Sequence, residues 1–127
     1  MNEPLVFQVS SPIPSKKNSR VVLKNGVNIP SKEFRSWHKA HLGELRKARS
    51  EHGVFTCPVS ISLGIAFGDL RRRDLDNALT SVIDLVKDSG IILDDDWRHV
   101  SRVSCEVLDT RADYAIVTVA PSKVIPR

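Results

Sequence analysis

Val59, Ile61, Leu63, Ile65 and Phe67 alternate with Ser60, Ser62, Gly64 and Ala66, and this stretch constrains the fold more than any other. A period of two with small or polar partners describes a half-buried strand. Gly68-Asp69 ends it, and Arg71-Arg72-Arg73-Asp74-Leu75-Asp76-Asn77 follows at once. The period then changes. Leu75, Ala78, Leu79, Val82, Ile83 and Val86 fall on one face of a helix expected from about Asp76 to Ser89, with Gly90 placed as its C′ residue.

The rest of the chain supplies further short elements. Leu5 to Val9 reads as a strand, closed by the Ser- and Pro-containing segment Ser10 to Ser15. Asn25-Gly26, between Val21-Val22-Leu23 and Val27-Asn28-Ile29, signals a two-residue hairpin turn. Ser31 is a candidate N-cap for a helix reaching about Ser50, with Phe34, Trp37, His41, Leu45 and Ala48 in one apolar stripe. Ile91 to Leu93 reads as a short extended piece. Val103, Cys105 and Val107 alternate in another strand, and Tyr114 to Val119 forms a last one across a turn near Asp109 to Ala112. The expected fold is α+β: a single domain over residues 1–127, with a mixed sheet of about four strands, an N-terminal hairpin and two main helices. The tail from about residue 121 is expected to fray.

Charge is distributed unevenly. The chain carries a formal +4, but Lys16 to Arg49 holds ten Lys or Arg against Glu33 and Glu44. Lys32, Arg35, Lys39, Arg46 and Arg49 line one face of the first helix without an acid among them, as a phosphate-contacting surface would. Cys57 and Cys105 have neither metal-ligand spacing nor disulfide density, so both are expected reduced and buried. Met1 to Pro4 lacks a basic leader, and no apolar run approaches the roughly 20 residues of a membrane span. The expectation is a soluble, cytoplasmic protein with no membrane partner.

Chemistry concentrates in the acids. Asp74 and Asp76 share a face if extended, on the strand-to-helix connection where free N–H groups favour a phosphate oxygen. Asp94-Asp95-Asp96 follows one helix later, and spacing alone does not choose a ligand among them. Clustered carboxylates repel unless a cation neutralises them. Carboxylates, a divalent cation and adjacent arginines together describe a metal-dependent nuclease.

The run from Arg71 to Asp95 resembles the signature of the RusA-type Holliday junction resolvases. There, an Arg-rich lead and Asp-Leu-Asp-Asn precede a helix, then Gly, apolar residues and Asp-Asp, matched here by Gly90-Ile91-Ile92-Leu93-Asp94-Asp95. Pro14-Ser15-Lys16-Lys17-Asn18 also resembles the family's basic loop. The resemblance implies a small RusA-like fold, a homodimer, and paired symmetric cuts across a four-way DNA junction in recombination and repair. It implies a catalytic Mg²⁺ site, with Mn²⁺ as substitute, formed by Asp74, Asp76 and Asp95, with Asp94 or Asp96 auxiliary. The expected DNA contacts are Lys16, Lys17, Arg20, Lys32, Arg35, Lys39, Arg71, Arg72 and Arg73. One position departs from the pattern: the lysine often found four residues after the second Asp of the motif is Thr80 here. Lys16 or Lys17 could supply that cation.

Two other classes compete. A non-catalytic junction binder on the same scaffold needs no metal to act, and carboxylate-to-amide changes would tighten it. A nucleotide-directed metalloenzyme has no use for an extended cationic helix. A zinc hydrolase fits least, because His38, His41, His52 and His99 make no ligand set by spacing and His41 falls on the apolar stripe.

Overall fold

The computed structural model describes residues 3–16 and 20–122, with Arg20 described as backbone only. The strands are β1 (Leu5–Ser10), β2 (Arg20–Val22), β3 (Asn28–Pro30), β4 (Val59–Ile65), β5 (Val100–Val107) and β6 (Tyr114–Pro121). The helices are α1 (Lys32–His52) and α2 (Leu75–Ser89). This is the expected α+β architecture, with a four-stranded mixed sheet, a separate β2–β3 hairpin and two helices.

Sheet order is β1-β6-β4-β5, with β4 and β5 parallel and β6 antiparallel to both β1 and β4. The strand across the turn at residues 109–112 therefore does not pair with its predecessor. β6 takes an inner place instead, where Ala115, Val117 and Val119 are fully buried. β5 is left at an edge, with Val103 and Val107 about half exposed. Arg102, Ser104 and Glu106 occupy the alternate, exposed positions of that edge, a common guard against uncontrolled strand pairing.

Parallel β4 and β5 require a crossover, and α2 provides it. It starts beyond the C-terminal end of β4 and returns to the start of β5. Its buried residues are Ala78, Ser81, Val82, Leu85, Val86 and Ser89. That face is rotated from the expected one, for Leu75, Leu79 and Ile83 are only half-buried. The rotation is possible because both serines are satisfied where they are buried. Ser81 Oγ donates to Pro14 O at 2.7 Å, and Ser89 Oγ donates to Val86 O at 2.7 Å. Gly90 ends the helix at φ 81°, as anticipated.

α1 keeps most of its predicted stripe: Phe34, Trp37, His41 and Leu45 are buried, Ala48 is half-buried, and Ser31 caps the helix by accepting from Phe34 N at 3.2 Å. His41 is a packed residue. The Ser10 amide donates to its Nε2 at 3.2 Å, and Trp37 Nε1 donates to Ser10 O at 3.0 Å. These bonds fix the first half of α1 beside the C-terminal end of β1. At the other end, His52 Nε2 reaches Glu3 O. Because β1 runs parallel to β4 through their shared neighbour β6, α1 and α2 both direct their N-termini to the same end of the sheet.

Two local expectations change. Leu23 N donates to Val27 O at 2.8 Å and Gly26 N to Leu23 O at 2.9 Å, so the hairpin has a three-residue loop. A two-residue type I′ turn needs two positive φ angles, and here Gly26 alone has one. Residues 91–93 form bends rather than a strand, with Ile91 and Ile92 buried and Leu93 exposed. Cys57 and Cys105 are unpaired and half-buried rather than fully buried. Among the described residues, no helix is long and apolar enough to cross a membrane. The burial pattern makes Leu85→Ala costly, by about 2–4 kcal/mol, and Val107→Ala nearly neutral, within about 0.5 kcal/mol; urea unfolding of both variants measures the difference.

Candidate functional site

The connection between β4 and α2 holds the Arg-rich motif. Asp69 accepts from the Arg71 amide at 3.0 Å and makes two bonds with the Arg73 guanidinium, at 2.5 and 3.1 Å. Arg73 also lies 5.1 Å over the Phe67 ring. Bonding to Arg73 and Arg71 holds the Asp69 carboxyl at a pKa of about 2. Arg73 is therefore a half-buried anchor of the loop, whereas Arg71 and Arg72 are exposed.

Asp74 takes the N-cap position of α2 in extended conformation (φ −99°, ψ 124°) but makes no side-chain capping bond. Asp76 lies in the first helical turn. The helix thus begins at Leu75, one residue before the expected start, and the two acids do not share an extended segment. Both are exposed, and neither makes a side-chain hydrogen bond or ion pair among the described residues. Beside Asp74 lies a cleft of about 360 Å³ lined by Ile13, Phe67, Arg72, Arg73, Asp74 and Asn77 among others. Two unpaired carboxylates at a helix N-terminus, next to cationic groups, can take a hard cation or be bridged by one to a phosphate.

Asp95 is elsewhere. It lies 3.8 Å from the Lys87 ammonium, and Asp94 lies 3.6 Å from it, beside the last turn of α2. Lys87 is eleven residues beyond Asp76, roughly 16 Å along the helix axis. Asp96 closes the turn that leads into β5, accepting from Arg98 and His99, and His99 O bonds the Val59 amide at the start of β4. Bonds from Arg98 and then His99 push the Asp96 carboxyl far below its ordinary range. The Asp94-Asp95-Asp96 run therefore sits at one end of the crossover and Asp74 with Asp76 at the other.

Among the described residues, one group of acids and histidines has donor atoms all within 4.8 Å of one another, and it is His38, Asp84 and Asp88. Spacing in the sequence did not reveal it, because the histidine comes from α1 and the acids from α2. The available signal was Asp84 and Asp88 one turn apart on the same helix face.

The expected DNA contacts divide. Lys32, Arg35 and Lys39 are exposed on the first half of α1. Lys32 opens the helix, and His38 beside Lys39 meets Asp84 and Asp88 in the second half of α2. Lys16 instead reaches Asp84, with Nζ 3.1 Å from Oδ2. Lys17 and the Arg20 side chain lie outside the described residues. Thr80 donates to Asp76 O at 2.9 Å, a bond within the helix. No protein-family model matches the chain, and no curated protein matches it either.

The sign of the Asp69 perturbation gives a pH test. Its folded pKa lies below that of a free carboxyl near 3.9, so the Asp69–Arg73 pairing is intact above pH 4 and is lost as pH falls through about 2. Carbon-13 NMR of the side-chain carboxyl should show that midpoint, and Arg73→Ala should return it towards the free value.

Proposed function

We propose that this chain is a Mg²⁺-dependent endodeoxyribonuclease that cuts branched DNA, with a four-way junction as its substrate. The observation that carries the reading is the pair of exposed carboxylates Asp74 and Asp76, unpartnered among the described residues. Every acid from Asp84 to Asp96 is by contrast tied to Lys16, His38, Lys87, Arg98 or His99. The donor set fits the ion, since Mg²⁺ binds through one or two carboxylates and retains several waters. Asp74 and Asp76 would hold it, and when bound it activates a water and stabilises the leaving oxygen of a phosphodiester.

The protein's own groups do the remaining work. Arg71 and Arg72 neutralise the scissile strand, and the N–H groups of the first turn of α2 face an incoming phosphate oxygen. Lys32, Arg35 and Lys39 add a second positive surface on α1, giving backbone contacts that position DNA without reading sequence. A second copy would set two such sites at a fixed separation, so that opposed strands meet both only at a branch. The β5 edge has the symmetry for such pairing. In an antiparallel pair of β5 strands centred on Ser104, Arg102 faces Glu106 of the other copy twice, an opposite-charge match worth having at an edge.

A second reading, a junction binder without chemistry, draws on the separation of Asp95 from Asp74 and on Thr80 at the family's lysine position. Cleavage of a labelled four-way junction in Mg²⁺ or Mn²⁺, with linear duplex as control, decides between them. The nuclease reading expects junction-only nicks, abolished in Asp74→Asn with binding retained. Asp95→Asn should keep most of the activity if the site is built on Asp74 and Asp76, and should match Asp74→Asn if the third acid closes onto it. Tight metal-independent binding without any cut supports the binder instead. For the pairing, Arg102→Glu should shift sedimentation towards monomer, and Arg102→Glu combined with Glu106→Arg should restore the dimer.

A further inference from the structure

Asp84 and Asp88 stand one turn apart on α2, and His38 on α1 aims its imidazole between them. Its Nε2 lies 2.9 Å from Asp88 Oδ2 and 3.9 Å from Asp84 Oδ2. The His38 ring packs 5.5 Å from Phe34, which restricts its orientation. The histidine and Asp84 are largely shielded, with side-chain exposures of 17% and 22%, while Asp88 at 43% leaves the group open to solvent on one side. From these three donors we infer a second metal site, distinct from Asp74 and Asp76, that takes a divalent transition ion of the Zn²⁺ class and bridges α1 to α2.

The chemistry selects the ion. An imidazole nitrogen with two carboxylate oxygens suits Zn²⁺, Co²⁺ or Mn²⁺, whereas Mg²⁺ prefers an all-oxygen shell. Donors held about 2.0–2.1 Å from a tetrahedral ion sit roughly 3.3 Å from one another. The two histidine separations, 2.9 and 3.9 Å, fall on either side of that figure. Binding needs changes of less than an ångström in these two separations, the two carboxylates lie within 4.8 Å of each other, and three protein ligands leave a fourth position for water.

Lys16 is the internal competitor. Its ammonium contacts Asp84 Oδ2 at 3.1 Å, the same oxygen that faces His38. In the metal-free protein it neutralises part of the charge of two carboxylates one turn apart. An ion entering the group takes over that role and releases Lys16 from Asp84. Metal occupancy is thereby coupled to the position of a lysine on the loop that packs along α2.

Isothermal titration of the chelator-treated full chain with ZnCl₂ or CoCl₂, with MgCl₂ as control, tests the site. One saturable equivalent is expected for Zn²⁺ and Co²⁺ at micromolar concentrations and none for Mg²⁺ at this group, with a visible Co²⁺ absorption band typical of a four-coordinate site. His38→Gln and Asp88→Asn should each weaken binding by roughly tenfold or more, since each removes one of three protein donors. Asp74→Asn should leave Zn²⁺ binding unchanged, which keeps this test separate from the fate of the nuclease reading. Lys16→Ala should tighten binding. Circular dichroism confirms that each variant folds. Absence of saturable Zn²⁺ and Co²⁺ binding, or wild-type affinity in both His38→Gln and Asp88→Asn, overturns the site and leaves a closed ion-pair network of Lys16, Asp84, His38 and Asp88.

Discussion

The burial of α2 against the sheet is the contact on which the rest of this architecture depends. Val82, Leu85 and Val86 are fully inaccessible, as are Ile61, Leu63 and Ile65 of β4. Taking six such side chains out of water contributes on the order of 10 kcal/mol before conformational entropy is set against it. Because β4 and β5 are parallel, this packed helix has only one way to run. Its start lies with the end of β4 and its finish with the start of β5. Every chemical group on or beside α2 inherits its address from that direction.

The same geometry accounts for the polarity of the molecule. Two helices direct their N-termini to one end of the sheet, and their aligned dipoles add positive potential there. The exposed arginines of the β4–α2 connection, Arg71 and Arg72, and Lys32 in the first turn of α1 lie at these N-termini. At the opposite end, the acids following α2 are absorbed by Lys87, Arg98 and His99. Bonding thus separates the motif acids tied to cations from Asp74 and Asp76, which make no side-chain bond or ion pair among the described residues.

What was legible in the sequence tracks how local the controlling interaction is. The α1 stripe, its Ser31 cap and the Gly90 terminus depend on neighbours within a turn or two, and the structure has each of them. The strand β4 was legible for the same reason, through its period of two. The position of β6 between β1 and β4 depends on pairing across the whole chain, and alternation alone does not encode neighbours. The buried face of α2 was misjudged because Ser81 and Ser89 read as polar. Their burial rests on acceptors at Pro14 and Val86, the first of them 67 residues away in sequence. The motif acids were visible, but the distance between Asp76 and Asp95 follows from the crossover, which no spacing rule supplies. His38 with Asp84 and Asp88 was hidden for the same reason, as it exists only once two helices have packed.

Gly68 ties two loops together in space. A Cβ built there would run into the Asp113 carboxylate, which also lies close enough to Arg73 to favour its charged form. A side chain at position 68 therefore turns the Asp113 carboxylate, the far end of a flexible side chain, out of its place. That movement weakens the pull of the Asp113 charge on Arg73. The two loops, forty-five residues apart in sequence, are consequently joined through one charge, and what stands at position 68 is felt at Arg73 by way of Asp113.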